Sequence, residues 1–120
     1  MEIVELTGTC DASGDLTITS TQRVVGYIEK IVMDYDDGDT GADIVFTNED
    51  GAATTAVMTL ANLGTADATW MPRSACNAVS DGSAFTNWAD KIFVTGTMKA
   101  VISNGGISKN FRFLVTVVDA

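Results

Sequence analysis

The chain has 120 residues, 46% of them hydrophobic and 19% charged, which is enough apolar material for one compact domain spanning 1–120 and too little length for a second. Sixteen acids against 7 bases give a formal charge of -9, so most of the surface would repel a phosphate backbone and nucleic acid is not expected as a partner. The absence of histidine removes Ser-His and Cys-His pairs, histidine zinc ligands and any side chain that titrates near neutrality unperturbed. An enzyme built on this chain would have to work with carboxylates, Lys or Tyr, and no catalytic signature of that kind is visible, so the expectation is a protein that is not an enzyme.

Val, Ile and Thr supply 36 residues and Leu only 5. Side chains branched at Cβ lose rotamers in a helix and pack well on a pleated surface, so the chain is expected to be all-β, an antiparallel sandwich or barrel-like domain with six or seven strands. The start, Met1 to Glu5, is acidic and lacks a sustained apolar core, so no secretory leader is expected. Short strands are predicted at Glu2–Thr7 and Leu16–Thr19. A long strand follows from Arg23 to Tyr35, with Val25, Tyr27, Ile31, Met33 and Tyr35 on one face. Val24, Ile28 and Val32 make the other face apolar too, as in a central strand covered on both sides or one at an oligomer contact. Apolar runs such as Val24 to Ile28 fall far short of the roughly 20 residues that cross a bilayer, so no membrane is expected as a partner.

Asp50-Gly51 predicts a hairpin between Asp43–Thr47 and Thr54–Leu60, the latter with Ala56, Met58 and Leu60 on one side. Asn62 to Asp90 is rich in Ala, Ser, Asn and Asp, shows no alternation and holds both tryptophans, Trp70 and Trp88. It reads as one long irregular segment with a helical turn at Ser83–Ala89. From Ile92 the period of two returns: Ile92, Val94, Met98, Ala100 and Ile102 point one way, with Phe93 and Val101 as apolar exceptions among the polar residues opposite. After Asn104-Gly105-Gly106 a last strand places Ile107, Phe111, Phe113, Val115 and Val117 on one face. The glycine pair predicts that these two strands form an antiparallel hairpin. Cys10 and Cys76, 66 positions apart, read as two buried thiols of a protein made in a reducing cytoplasm.

Three groups of residues are candidates for function. Asp34, Asp36, Asp37, Asp39 and Asp43 crowd one loop with Gly38 and Gly41, and clustered carboxylates can replace the water shell of a hard cation. An EF-hand starting at Asp34 would need glycine at its sixth position and glutamate at its twelfth, where this chain has Asp39 and Val45. The loop therefore reads as a solvated acidic turn, with Asp36, Asp37 and Asp39 the residues a Ca²⁺ would take, and no metal or other cofactor is expected. Thr69-Trp70-Met71-Pro72-Arg73 joins an aromatic, a thioether, a kink and the first base after a stretch of eight acids, a composition suited to an interface hot spot or to plugging the end of a β core. Trp88 carries the same two readings. Lys91, Lys99, Lys109 and Arg112 concentrate four of the 7 bases in the last two strands, which predicts either a charged contact with a copy of itself or a larger acidic partner, or lysines guarding a sheet edge.

The Val24-Val25-Gly26-Tyr27-Ile28 strand running to Asp34-Tyr35, the Trp70-Met71-Pro72-Arg73 element and the Gly96 to Gly106 strand and turn resemble small virion proteins of tailed bacteriophages, the minor structural proteins assigned as capsid decoration or cement proteins. The resemblance runs from Leu16 to Val118. It implies a non-enzymatic β protein made in the host cytoplasm that attaches in many copies, as a homo-oligomer such as a trimer, to the major capsid protein on the head exterior. No catalytic residues carry over. The contact residues it suggests are Trp70, Met71, Pro72 and Arg73, to which the reading of composition adds Trp88, Lys99 and Arg112. The aspartate-dense loop departs from the pattern. Two other readings remain open, a calcium-assisted carbohydrate-binding module with Trp70 and Trp88 stacking on sugar rings, and a virion component of the tail or head-tail junction.

Overall fold

The structure, a computed structural model, describes residues 1–51, 53–77, 80 and 82–119, with the backbone alone at 76, 77 and 85–88. Its ten strands in chain order are β1 (Glu2–Thr9), β2 (Leu16–Thr19), β3 (Val24–Met33), β4 (Asp43–Glu49), β5 (Thr54–Leu60), β6 (Ala68–Trp70), β7 (Arg73–Asn77), β8 (Ala84–Lys91), β9 (Phe93–Ser103) and β10 (Asn110–Val118). No helix occurs among the described residues. The fold is all-β and antiparallel, as the wealth of branched side chains predicts.

Eight strands run in the order β1-β10-β3-β9-β4-β5, with β2 added on β9 and β6 on β3. They form two layers. In one, β10 lies between β1 and β3. In the other, β9 lies between β2 and β4, with β5 at the far edge of β4. The strand that joins the layers is β9: its first residues pair with β3 (Val24↔Gly96 to Tyr27↔Phe93), and from Thr97 it runs along β4. Gly96 sits at the change of partner with φ +93°, and a Cβ there would lie 2.3 Å from the Glu49 carbonyl oxygen, so both backbone angle and space require glycine.

Alternating side chains from both layers fill one core. Val4 and Leu6 of β1, Phe113 and Val115 of β10, Ile44 and Phe46 of β4, and Met98 and Ile102 of β9 are all buried. Phe46 and Phe113 meet edge to face across the layers at 5.1 Å between centroids and 86° between planes, the geometry a ring quadrupole favours.

The long third strand corrects the reading of its faces. Thr116 of β10 stands opposite Lys30, but the next residue, Val117, stands opposite Ile28, so Glu29 is an extra residue in β3. This bulge inverts the alternation. Val24, Gly26 and Ile28 point inward before it, Ile31 and Met33 after it, and Val25 and Tyr27 face outward. Apolar residues of both parities thus come from one inward face with a phase slip.

Other departures have similar local causes. The segment from Asn62 to Asp90 is not irregular but carries β6, β7 and β8, and the helical turn expected at Ser83–Ala89 falls where β8 begins. β7 and β8 pair only with each other, as a two-stranded ribbon. Every residue of the ribbon and its turn whose side chain is described is exposed, save the half-buried Lys91 at the root, so these positions show no alternation of burial. The molecule is correspondingly long, 49 × 28 × 24 Å. β9 and β10 do not pair as a hairpin: β3 lies between them, and the 104–109 connection crosses from one layer to the other. Ile107, expected inward, is 68% exposed in that connection. In β5, Val57 is an extra residue between the Met58↔Phe46 and Ala56↔Thr47 pairs, which leaves Ala56 exposed and Val57 buried. Cys10 is a free, buried thiol, its pKa raised by burial and by the nearby carboxylates of Asp11, Asp15, Asp37 and Asp39; the Cys76 side chain lies outside the described residues.

Candidate functional site

The expected contact residues divide by environment. Trp70 ends β6 opposite Ile31 and packs, half-buried, against the core, so its ring serves as a plug. Pro72 is buried, while Met71 between them is 62% exposed and Arg73 is exposed. The Trp88 side chain lies outside the described residues. Lys99 and Arg112 do not form one basic surface, because β9 and β10 sit in different layers. Lys99 lies 3.8 Å from Glu49. The Arg112 guanidinium bridges Glu5 at 2.7 Å and Asp34 at 2.6 Å, and these hydrogen bonds raise its pKa further.

The acidic loop is stitched to the body. Asp37 accepts from the Asn110 backbone at 2.6 Å, Asp43 accepts from the Asn62 backbone and the Asn104 side chain, and the Asp39 backbone donates to Gly105. These carboxylates order the 104–110 connection, and no cluster among the described residues, Asp36, Asp37 and Asp39 included, has the geometry of a metal site. A shallow, open depression of about 240 Å³ at the β4–β5 turn is lined by Glu49, Gly51, Ala53 and Thr54. Its carboxylate is already engaged by the Thr54 hydroxyl at 2.6 Å and the Lys99 ammonium.

A different surface stands out. On the outside of β3 and the start of β9, Tyr27 and Phe93 are cross-strand partners whose rings meet edge to face at 5.3 Å. Phe93 is 47% and Val25 65% exposed, and Tyr27 36%. Gly26 between the two outward residues accommodates the C-terminal end of β10, since a Cβ there would lie 2.2 Å from the Val118 carbonyl oxygen.

Two residues beyond Tyr27 comes the bulge residue Glu29, and three bases converge on it. Lys91 forms an ion pair with it at 2.5 Å, and the Arg73 guanidinium reaches its backbone carbonyl at 3.4 Å while also donating to the Pro72 carbonyl at 2.8 Å. The hydrogen bond from Lys91, followed by the charges of Lys91, Arg73 and Lys30, holds the Glu29 carboxyl below the usual carboxylate range against partial desolvation. Lys30, Arg73 and Lys91 thus gather around Glu29, with Asp90 beside Lys91, on a chain of charge -9. Arg73 and Lys91 are also paired residues at the root of the β7–β8 ribbon. Sequence reasoning named Arg73 and Lys91 in separate groups and allowed an oligomer contact on the long third strand, but did not single out Tyr27, Glu29 or Phe93 as a site; the available signal was Phe93 as an apolar residue on a face otherwise polar.

Comparison with known proteins finds no matching family model, no matching curated protein and no matching solved structure. The assignment of function therefore rests on the residues themselves.

Proposed function

We propose that the protein works by adhesion through its exterior, as a structural component of a tailed-phage virion that decorates the head as a homo-oligomer and binds the major capsid protein. The observation that carries this reading is the outward Val25–Tyr27–Phe93 patch beside the Glu29-centred bases. Exposed aromatic area with an adjoining guanidinium is the composition of an interface hot spot. The bases gathered beside it, on a chain that is otherwise strongly acidic, would favour its approach to an acidic protein lattice over that of the remaining surface. A rigid β body presenting one modest patch can hold firmly when many copies occupy a repeating lattice, because linked weak contacts multiply.

The test is co-sedimentation of the purified chain with expanded phage heads. Saturable binding and a raised melting temperature of the heads are expected. Replacing Tyr27 by Glu together with Phe93 by Ser should abolish binding while the far-ultraviolet circular dichroism stays unchanged, since both side chains lie on the outer face. Failure of the unaltered chain to co-sediment, or full binding by the double variant, overturns the reading. Saturable binding to isolated tails or necks instead of heads would move the protein to another part of the virion.

A further inference from the structure

The molecule carries two unfinished β structures of complementary kind. The first is the ribbon of β7 and β8, whose strands are hydrogen-bonded to each other and, among the described residues, to no third strand. A two-stranded ribbon is marginally stable in water by itself, because it orders two strands while burying little. The second is the outer edge of β5, which among the described residues is hydrogen-bonded to β4 alone. Edge strands are ordinarily guarded by lysine, proline or an inward-pointing charge. β5 reads Thr54-Thr55-Ala56-Val57-Met58-Thr59-Leu60 and has none of these; its one guard is the bulge at Val57. Met58 and Leu60 at this edge are only half-covered by the core they touch.

The charge distribution selects which partner can use them. Two copies of a chain of charge -9 repel each other wherever their acids face. The longest stretch without any charged residue is Gly51 to Ala66, which contains β5, and the ribbon between Arg73 and Asp90 has Asp81 as its single charge. The two open strand edges therefore lie where repulsion between copies is weakest. Main-chain pairing needs no matched side chains, only two unpaired edges of similar length, and β5 with seven residues and β8 with eight meet that condition.

We propose that the β7–β8 ribbon of one copy adds to the β5 edge of a second copy, extending the β2-β9-β4-β5 layer. The contact is head to tail: each copy offers a ribbon and receives another, so association closes into a ring or runs on as a chain. It gives the homo-oligomer of the proposed function a surface. It is tested on purified protein with no shell present, so its failure leaves lattice attachment standing, and failure of attachment leaves it standing.

The experiment uses two variants and light-scattering mass after size exclusion. Thr55→Lys with Thr59→Lys places charge on the exposed residues of the edge; it also lowers the magnitude of the net negative charge, so lost association cannot come from greater overall repulsion. The second variant replaces Ser74 through Asp90 with Asn-Gly, which joins the paired residues Arg73 and Lys91 by a two-residue turn. The unaltered chain should assemble with a mass that rises with concentration, and each variant alone should be monomeric. An equimolar mixture should yield a dimer of one of each and nothing larger, since only one ribbon and one edge remain to meet. A monomeric unaltered chain at every concentration, ribbon-less protein that assembles as fully as the unaltered chain, or a mixture of two folded variants that stays monomeric overturns the proposal. Hydrogen exchange of the unaltered chain is the check that needs no variant: amides of 54–60 should slow as concentration rises, and rates independent of concentration refute the contact.

Discussion

At the scale of single residues, the bends of the sheet depend on a few side chains that answer backbone groups. Asn48 is 4% exposed; its amide donates to the Thr95 carbonyl at 2.7 Å and the Thr97 carbonyl at 3.1 Å, on either side of the Gly96 bend, and its carbonyl accepts from the Thr95 N–H at 3.3 Å. Asn48→Ala would leave these groups unanswered in a dry place, a loss of about 1–3 kcal/mol in denaturant unfolding. Gly26→Ala should cost about as much through the clash with Val118, whereas Gly64→Ala, with nothing near the new methyl and no left-handed backbone, should leave the midpoint unchanged. Glu29 gives a pH dependence with a definite sign. Its carboxyl is held below the usual range in the folded chain, so its contribution to stability is complete above that range and is lost as pH falls through the lowered value. Glu29→Gln should therefore flatten the acid limb of a stability-against-pH curve, measured by thermal melts at low salt, while the alkaline side is unaffected.

At the scale of elements, what could be read from the chain was what period two and turn glycines encode. The inward faces of β9 and of β10 from Phe111 on follow from alternation because those runs are regular, and the β4–β5 hairpin follows from Asp50-Gly51, although the bulge at Val57 shifted the face of β5. The bulge at Glu29 was illegible for a physical reason: one inserted residue leaves composition unchanged and reverses which side chains are buried. Deleting Glu29 should expose Val24 and Ile28 or break the pairing with β10, a loss of roughly 3–6 kcal/mol that would appear as insoluble or unfolded protein. The turn after β9 was legible as a turn but not as a crossing between layers, since the choice of partner is made by β3, some seventy residues earlier. The ribbon was invisible because its described side chains, Lys91 apart, are exposed and so impose no alternation. The candidate site was half legible in the same way: Arg73 drew notice by its isolation among acids, but its place beside Lys91 and Glu29 needed the register of three strands.

At the scale of the whole molecule, the two layers are held as one body by the core, and the Phe46–Phe113 contact spans them. Phe113→Ala should cost about 3–5 kcal/mol and lower the melting temperature without altering head binding per folded molecule, whereas the outer-face substitutions should do the reverse. That contrast separates adhesion from stability in a single set of measurements. The placement of β9 and β10 has a further consequence for how the chain comes into being. These two strands occupy interior positions of the main sheet yet leave the ribosome after the other eight. Until they emerge, β1, β2 and β3 have no long neighbour to pair with, and β4 has one. The main sheet therefore closes late, when these two central strands arrive and complete its non-local pairing.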